Sequence, residues 1–154
     1  MACNKYKNKN YKSAVEFYNT VTQTLATTNT ATNPLTLNLV SSTVTNTGVA
    51  IDLEPSAIDI ECSGLYRVYA DIEFTSTAAG IITMALTLDG VVLPETIKVR
   101  TVGTTGSIFV ATETIRRVQT CCALEQHRFG VVVYSDGAAT GTIDRVSGNA
   151  VKLA

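Results

Sequence analysis

The sequence has no tryptophan, a single histidine and few charged residues, and these shortages exclude several classes of function. Charged residues make up 16% of the 154 residues, and the formal net charge is −1. One histidine, His127, cannot build a multi-histidine metal site. A nearly neutral chain has no overall field to attract nucleic acid or an anionic membrane. We therefore expect no metal, no cofactor, no nucleic-acid partner and no membrane partner.

The chain also lacks a long apolar run and a secretory signal. Residues 1–12 are polar and rich in lysine, without an apolar core or a small-residue cleavage pattern. No apolar stretch approaches the roughly 20 residues that cross a membrane as a helix. We expect the protein to be made in a host cytoplasm without a signal peptide.

The four cysteines do not have the spacing of a disulfide framework or a zinc ribbon. They are Cys3, Cys62, Cys121 and Cys122. The adjacent pair occurs in a strand-like run, in which neighbouring side chains point to opposite faces. We predict buried, reduced thiols.

Threonine is abundant, and its branched Cβ favours strands over helices. Apolar and polar residues alternate clearly over residues 65–74 and 82–88. Further strands are predicted at residues 91–99, 107–118, 120–126, 128–134 and 141–146, with weaker ones at residues 21–26, 35–39, 49–53 and 57–61. Turns separate these strands, the last at residues 147–149, and no crossover helices interrupt them. The pattern predicts an all-β fold, a two-sheet antiparallel jelly-roll sandwich.

A hairpin is predicted at Asp89-Gly90, because a type I′ turn requires positive φ at both central residues. Pro94 falls in the strand that follows. Since proline has no backbone N–H, we expect that strand to be at an edge or to contain a bulge.

Residues 1–20 form a predicted polar, basic N-terminal arm, and residues 21–154 form the head. Ser13 and Glu16 have the spacing of a helix capping box, but the alternation over residues 14–20 also suits a strand, and both alternatives stay open. The arm offers four candidate partner-binding residues: Lys5, Lys7, Lys9 and Lys12.

Catalytic groups are scarce. Cys121 or Cys122 with His127 is the best nucleophile and base available, yet no protease signature surrounds them. Asp71 and Glu73 alternate with apolar neighbours, as solvated strand positions do, although paired carboxylates could hydrolyse glycosides. We assign no catalytic residue and predict that the protein is not an enzyme.

Two segments resemble the tumour-necrosis-factor-like jelly rolls, which include the complement first-component heads and bacterial and bacteriophage relatives. They are GLYRVYA at residues 64–70 and LTLDGV at residues 86–91. The resemblance covers about residues 20–154. It implies a ten-stranded sandwich that forms a homotrimer through apolar and aromatic faces and leaves its loops free to bind receptors.

No collagen-like stalk is present, and the chain resembles small Thr-, Asn- and Ala-rich phage virion components. The main hypothesis is a non-enzymatic virion structural protein, such as a capsid decoration protein, a head-fibre part or a tail-associated head. It would form a homotrimer in the virion, contact other virion proteins through its arm, and possess a surface for a host receptor.

Two alternatives stay open. The first is a receptor- or carbohydrate-binding head of a phage fibre or bacterial surface, using the loops at residues 102–107 and 135–140 with Tyr69 and Tyr134. The second is a hydrolase with an unrecognised site.

Overall fold

The computed structural model describes residues 13–41, 46–47, 50–119 and 126–154, and their regular structure is almost entirely β. Thirteen strands and one 3₁₀ turn (Pro94–Thr96) are described. The strands are β1 (Ala14–Asn19), β2 (Gln23–Leu25), β3 (Leu35–Thr36), β4 (Asn46–Thr47), β5 (Ile51–Glu54), β6 (Ala57–Ile60), β7 (Gly64–Ala78), β8 (Gly80–Leu88), β9 (Val91–Val92), β10 (Lys98–Val102), β11 (Ser107–Val118), β12 (His127–Ser135) and β13 (Thr140–Lys152). In these ranges no helix has the length and apolar character to cross a membrane.

The strands form two sheets. Sheet A has the order β11-β7-β13-β1-β4, and β2 also pairs with β13. Sheet B has the order β10-β8-β12-β6-β5, with β3 on β12 and β9 on β8. All pairings among the described strands are antiparallel. This architecture confirms the predicted all-β, two-sheet jelly-roll sandwich.

The core lies between the sheets and contains the apolar face of each long strand. Strand β7 contributes the residues that the alternation predicts: Tyr66, Val68, Ala70, Ile72 and Phe74, all fully buried. From sheet B, Met84 and Leu86 of β8 pack into the same cluster as Phe129 of β12. Each large apolar side chain buried in this way contributes about 1.5–3 kcal/mol.

The predicted hairpin is present, but the strand after it is interrupted. Asp89 has φ 52° and Gly90 has φ 80°, as a type I′ turn requires. The predicted strand at residues 91–99 is wrong as a single element, because a 3₁₀ turn separates β9 from β10. Pro94 begins that turn, where its fixed φ is favourable and its missing N–H costs nothing.

The segment at residues 14–20 is a strand and not a helix. In β1, Val15 and Phe17 point into the core, while Glu16 and Tyr18 are exposed. The predicted capping box does not form at Ser13, whose hydroxyl oxygen instead accepts a hydrogen bond from a backbone N–H on an adjoining segment, at 3.2 Å. The interval assigned to the arm therefore includes one strand of the head.

The arm lysines (Lys5, Lys7, Lys9 and Lys12) lie outside the described residues, as does most of the strand predicted at residues 120–126. The turn predicted at residues 147–149 is wrong, because β13 runs through it. Gly148 is needed there, since a Cβ atom would lie 2.4 Å from the ring of Phe17 and 2.1 Å from the Tyr69 carbonyl oxygen.

The prediction of reduced thiols is wrong for Cys62, which is disulfide-bonded. The other three cysteines, Cys3, Cys121 and Cys122, lie outside the described residues, and one of them is the partner of Cys62. Sequence spacing did not identify the bond because a fold can bring distant cysteines together in ways that spacing does not encode.

Candidate assembly surface

The solvent side of sheet A is a broad surface made by β11, β7, β13 and β1, and we call it the sheet A face. Its side chains lie in four rows across the strands: Phe109, Glu73, Arg145; Ala111, Asp71, Ser147, Tyr18; Glu113, Tyr69, Asn149, Glu16; and Ile115, Arg67, Val151, Ala14. None of these residues is buried in the chain. The rows therefore form a continuous surface available to a partner.

Large apolar side chains are exposed on this face. Phe109 is 63% exposed, Ile115 58% and Tyr18 47%. Phe109 and Ile115 point outwards because β11 directs Val110 and two threonines, Thr112 and Thr114, into the sandwich. The three side chains are separated by polar and charged residues of the rows, so they are dispersed over the face and do not form one apolar patch.

Four of the six charged residues in these rows form two ion pairs within the chain, and Glu16 and Glu73 are the other two. Arg67 contacts Glu113 at 2.9 Å, and Arg145 contacts Asp71 at 3.1 Å. The Arg145 guanidinium carbon also lies 5.6 Å from the centre of the Phe109 ring. Exposed pairs of this kind add little to stability. Because these four charges are already paired within the chain, a partner that covers them does not have to supply opposite charges.

The two tyrosines proposed as contacts lie on different sheets. Tyr69 is half-buried on the sheet A face, and burial together with the neighbouring Asp71 carboxylate raises the pKa of its phenol. Tyr134 is half-buried on the outer side of sheet B, beside Thr83. Only Tyr69 therefore belongs to the sheet A face.

The two loops proposed for receptor binding, residues 102–107 and 135–140, are joined through the connection between β7 and β8. The backbone N–H of Ser76 donates to the first loop at 2.9 Å. The backbone N–H of Ile81 donates to Asp136 in the second loop at 3.1 Å. Both loops thus lie at one end of the sandwich, which we call the distal end.

Asp136 organises the second loop. One carboxylate oxygen accepts hydrogen bonds from the backbone N–H groups of Ala138 and Ala139, at 3.0 and 3.1 Å. These two bonds, and then the Ile81 N–H, lower the pKa of Asp136 from its usual 3.8. The carboxylate is thereby occupied in holding the loop.

His127 lies at the opposite end of the sandwich. Its Nδ1 is 2.7 Å from an Asp89 carboxylate oxygen, and its Nε2 is 3.0 Å from the Gln119 carbonyl oxygen. Both ring nitrogens are therefore engaged as the ring stands. Cys121 and Cys122 lie outside the described residues, and within the described ranges no group of three metal-ligating side chains is present.

Sequence reasoning did not identify Phe109, Ile115 and Tyr18 as surface residues. A signal existed, because Phe109, Ala111 and Ile115 share one parity in the strand predicted at residues 107–118. The same strand has apolar residues at the other parity as well, so alternation alone did not choose the buried side.

Comparison with known proteins supports the fold and no more. No protein-family model and no curated protein matches the chain. Two crystal structures of murine APRIL, at pH 5.0 and pH 8.0, match it with TM-scores of 0.60 and 0.61. Each match has 12% sequence identity and covers 93% of this chain and 100% of that chain. The chain has a tumour-necrosis-factor-like jelly-roll fold.

Proposed function

We propose that this protein is a non-enzymatic structural protein that assembles as a homotrimer through the sheet A face. The observation that carries the proposal is the exposed apolar set formed by Phe109, Ile115 and Tyr18. Burial of a large apolar side chain is favourable by about 1.5–3 kcal/mol. Association of copies would remove this surface from water.

A trimer is the assembly that the sequence resemblance implies. In a three-fold ring, the face of one copy contacts a different surface of the next, and three such contacts close the ring without a free face. Two ion pairs on this face, Arg67 with Glu113 and Asp71 with Arg145, are compatible with such a contact. Each charge keeps its partner within the chain when a neutral apolar surface covers it.

The setting that we propose is a virion, in which the part of the N-terminal arm before β1 contacts neighbouring virion proteins. Ser13, the first described residue, and the last residue lie at the same end of the head: Ala14 pairs with Val151, and the Leu65 N–H donates to the Ala154 carbonyl at 2.7 Å. An attachment through the arm would therefore direct the distal loops away from the particle.

The trimer is tested by the mass of the native protein in light scattering at micromolar concentration. We expect about three times the 16.4 kDa mass of the chain. Phe109→Glu should reduce the mass to that of one chain, because a carboxylate would be buried at the contact. Ile81→Glu is the matched control, since Ile81 is 41% exposed but lies on sheet B, and it should leave the trimer intact. A monomeric wild-type protein would refute the proposal.

A second candidate function is receptor binding at the distal end. It is favoured by the hydrogen bonds that join the loops at residues 102–107 and 135–140 into one surface. Saturable binding to cells or to a glycan array would support it. Loss of that binding when Thr104 and Thr105 are both changed to Ala, with the trimer mass unchanged, would locate the contact in the first loop.

A further inference from the structure

His127 lies between two oxygen acceptors from different parts of the chain. It is the first residue of β12. Its Nδ1 is 2.7 Å from Oδ2 of Asp89, which belongs to the turn between β8 and β9. Its Nε2 is 3.0 Å from the carbonyl oxygen of Gln119, the residue after β11. The ring therefore bridges three elements at the end of the sandwich opposite to the distal loops.

The two contacts have different requirements for the proton. A neutral imidazole has one N–H and can donate to only one of these oxygens, whereas the imidazolium donates to both. The Asp89 carboxylate holds the last proton on Nδ1, because a charge-assisted hydrogen bond is the stronger of the two. Deprotonation then leaves the Nε2 lone pair facing the Gln119 carbonyl, and this second contact is lost.

The charged groups described near the ring are mostly acidic. The other Asp89 oxygen accepts the Arg128 backbone N–H at 2.9 Å, which holds the carboxylate in place. The Arg128 guanidinium turns to Asp59, with Nε 2.9 Å from Oδ1. Glu61 follows Ile60, the residue that pairs with His127, and adds negative charge on the β6 side. Arg128 is the positively charged group among these, and its charge is paired with Asp59.

We propose that His127 is a protonation-dependent clasp that fastens the end of β11 to the turn between β8 and β9. The charged ring can donate to both oxygens, so the clasp is closed at low pH and opens as the histidine loses its proton. Unperturbed side chains other than histidine do not titrate between about pH 5 and pH 8. The α-amino group and perturbed cysteine thiols can also titrate near this range, so the ring resonance of the single histidine has to be followed directly.

The test combines two NMR measurements on the full chain between about pH 5 and pH 8.5. The His127 ring resonance reports protonation, and hydrogen exchange at residues 115–118, corrected for its intrinsic pH dependence, reports the order of the end of β11. We expect protection there to fall about threefold to tenfold as the ring deprotonates, because one partly exposed hydrogen bond is lost. Residues 108–111, in the first half of β11, should keep their protection.

Two variants separate the clasp from a merely structural role. His127→Asn retains a donor near the position of Nδ1 but cannot titrate, so protection at residues 115–118 should no longer depend on pH. Asp89→Asn retains a favourable type I′ turn, because Asn-Gly is a preferred pair there, and it should lower the titration midpoint of the ring.

The proposal is overturned if the ring titrates while protection stays constant, or if His127→Asn shows the same pH dependence as the wild type. If His127→Asn does not fold, Asp89→Asn decides the question: an unchanged ring midpoint overturns the proposal, and a lowered midpoint with an equal shift in protection supports it.

Discussion

The two sheets treat their solvent sides differently. On sheet A, Phe109, Ile115 and Tyr18 are 47–63% exposed. On the middle strands of sheet B, the residues on the outer side are small and already buried in the single chain: Thr83, Ala85, Thr87 and Val132, at 7%, 0%, 6% and 3% exposed. The chain therefore covers the outer side of the middle strands of sheet B by itself, although Ile81 and Val99 of the same sheet stay 41% and 52% exposed. On the sheet A face none of the outward side chains is buried.

Small residues make the closed side of sheet B compact. Thr87 lies opposite Gly130, and Ala85 lies opposite Val132. Sheet A uses its glycine in another way, since Gly148 allows the Phe17 ring and the β7 backbone to approach closely. Burial on sheet B is thus a property of one chain, whereas we attribute burial of the sheet A face to assembly.

The largest effect should come from filling the space at Gly148. In Gly148→Ala the new methyl group would lie 2.1 Å from a backbone oxygen and 2.4 Å from an aromatic ring, neither of which can move aside easily. We expect a loss of about 3 kcal/mol or more in the free energy of unfolding, measured by urea denaturation.

Gly130→Ala is the matched variant on sheet B. Its methyl group would meet the Thr87 hydroxyl oxygen at 2.7 Å, and that side chain can rotate away, so we expect a loss of about 1 kcal/mol. Equal losses in the two variants would show that the sheets are packed alike and would contradict the contrast drawn between them.

A smaller effect is expected at the edge where the two sheets meet, beside the 3₁₀ turn. Thr96 is fully buried, and its hydroxyl accepts from the Leu86 N–H at 2.9 Å and donates to the Leu93 carbonyl at 2.7 Å. Its carbonyl accepts the Thr112 hydroxyl from sheet A at 2.6 Å. Thr96→Val should cost about 2 kcal/mol in unfolding free energy, because buried polar groups lose their partner.

Thr101→Val on the neighbouring strand β10 is the control for Thr96→Val. Thr101 is exposed, and Thr101→Val replaces the same hydroxyl by a methyl group. The unfolding free energy of this variant should stay within about 0.5 kcal/mol of the wild type. A comparable loss in both variants would mean that the buried hydroxyl does not hold the 3₁₀ turn against β8.

The fold was predictable where one requirement dominated. Alternation over residues 65–74 placed Tyr66, Val68 and Phe74 in the core because burial needs every second residue of a strand. The predictions failed where backbone geometry decided, at Pro94 and at Gly148. A proline can begin a 3₁₀ turn, and a glycine can allow an aromatic ring to approach the backbone closely. The alternation of polar and apolar residues predicts neither of these features.

The candidate surface was predictable only in part. Tyr69 was predicted as a receptor contact beside the two loops, and it lies on the sheet A face, half-buried and on a different sheet from Tyr134. Phe109 and Ile115 were not singled out, because a period of two separates two sides of a strand but does not say which side stays exposed in one chain. That choice depends on the neighbouring strands, which come from distant parts of the sequence.

The smallest effect concerns the connection by which the chain passes from sheet B to sheet A, held by Asp136. Backbone N–H groups of Ala138 and Ala139 lower the pKa of Asp136 from its usual 3.8, so the folded state binds this proton less tightly than the unfolded chain does. Its stabilising contribution is therefore present above about pH 3.8 and is lost as the pH falls below that value.

Asp136→Asn imitates the protonated carboxyl and should lower the unfolding temperature at about pH 6, with the difference from the wild type closing towards about pH 2.5. Glu54→Gln removes the same unit of charge from an exposed position on β5 and serves as the control for net charge. A difference that stays constant over this pH range would mean that the effect of the substitution does not come from the charge of the carboxylate. In that case the negative charge of Asp136 would contribute nothing to the stability of the loop that connects the two sheets.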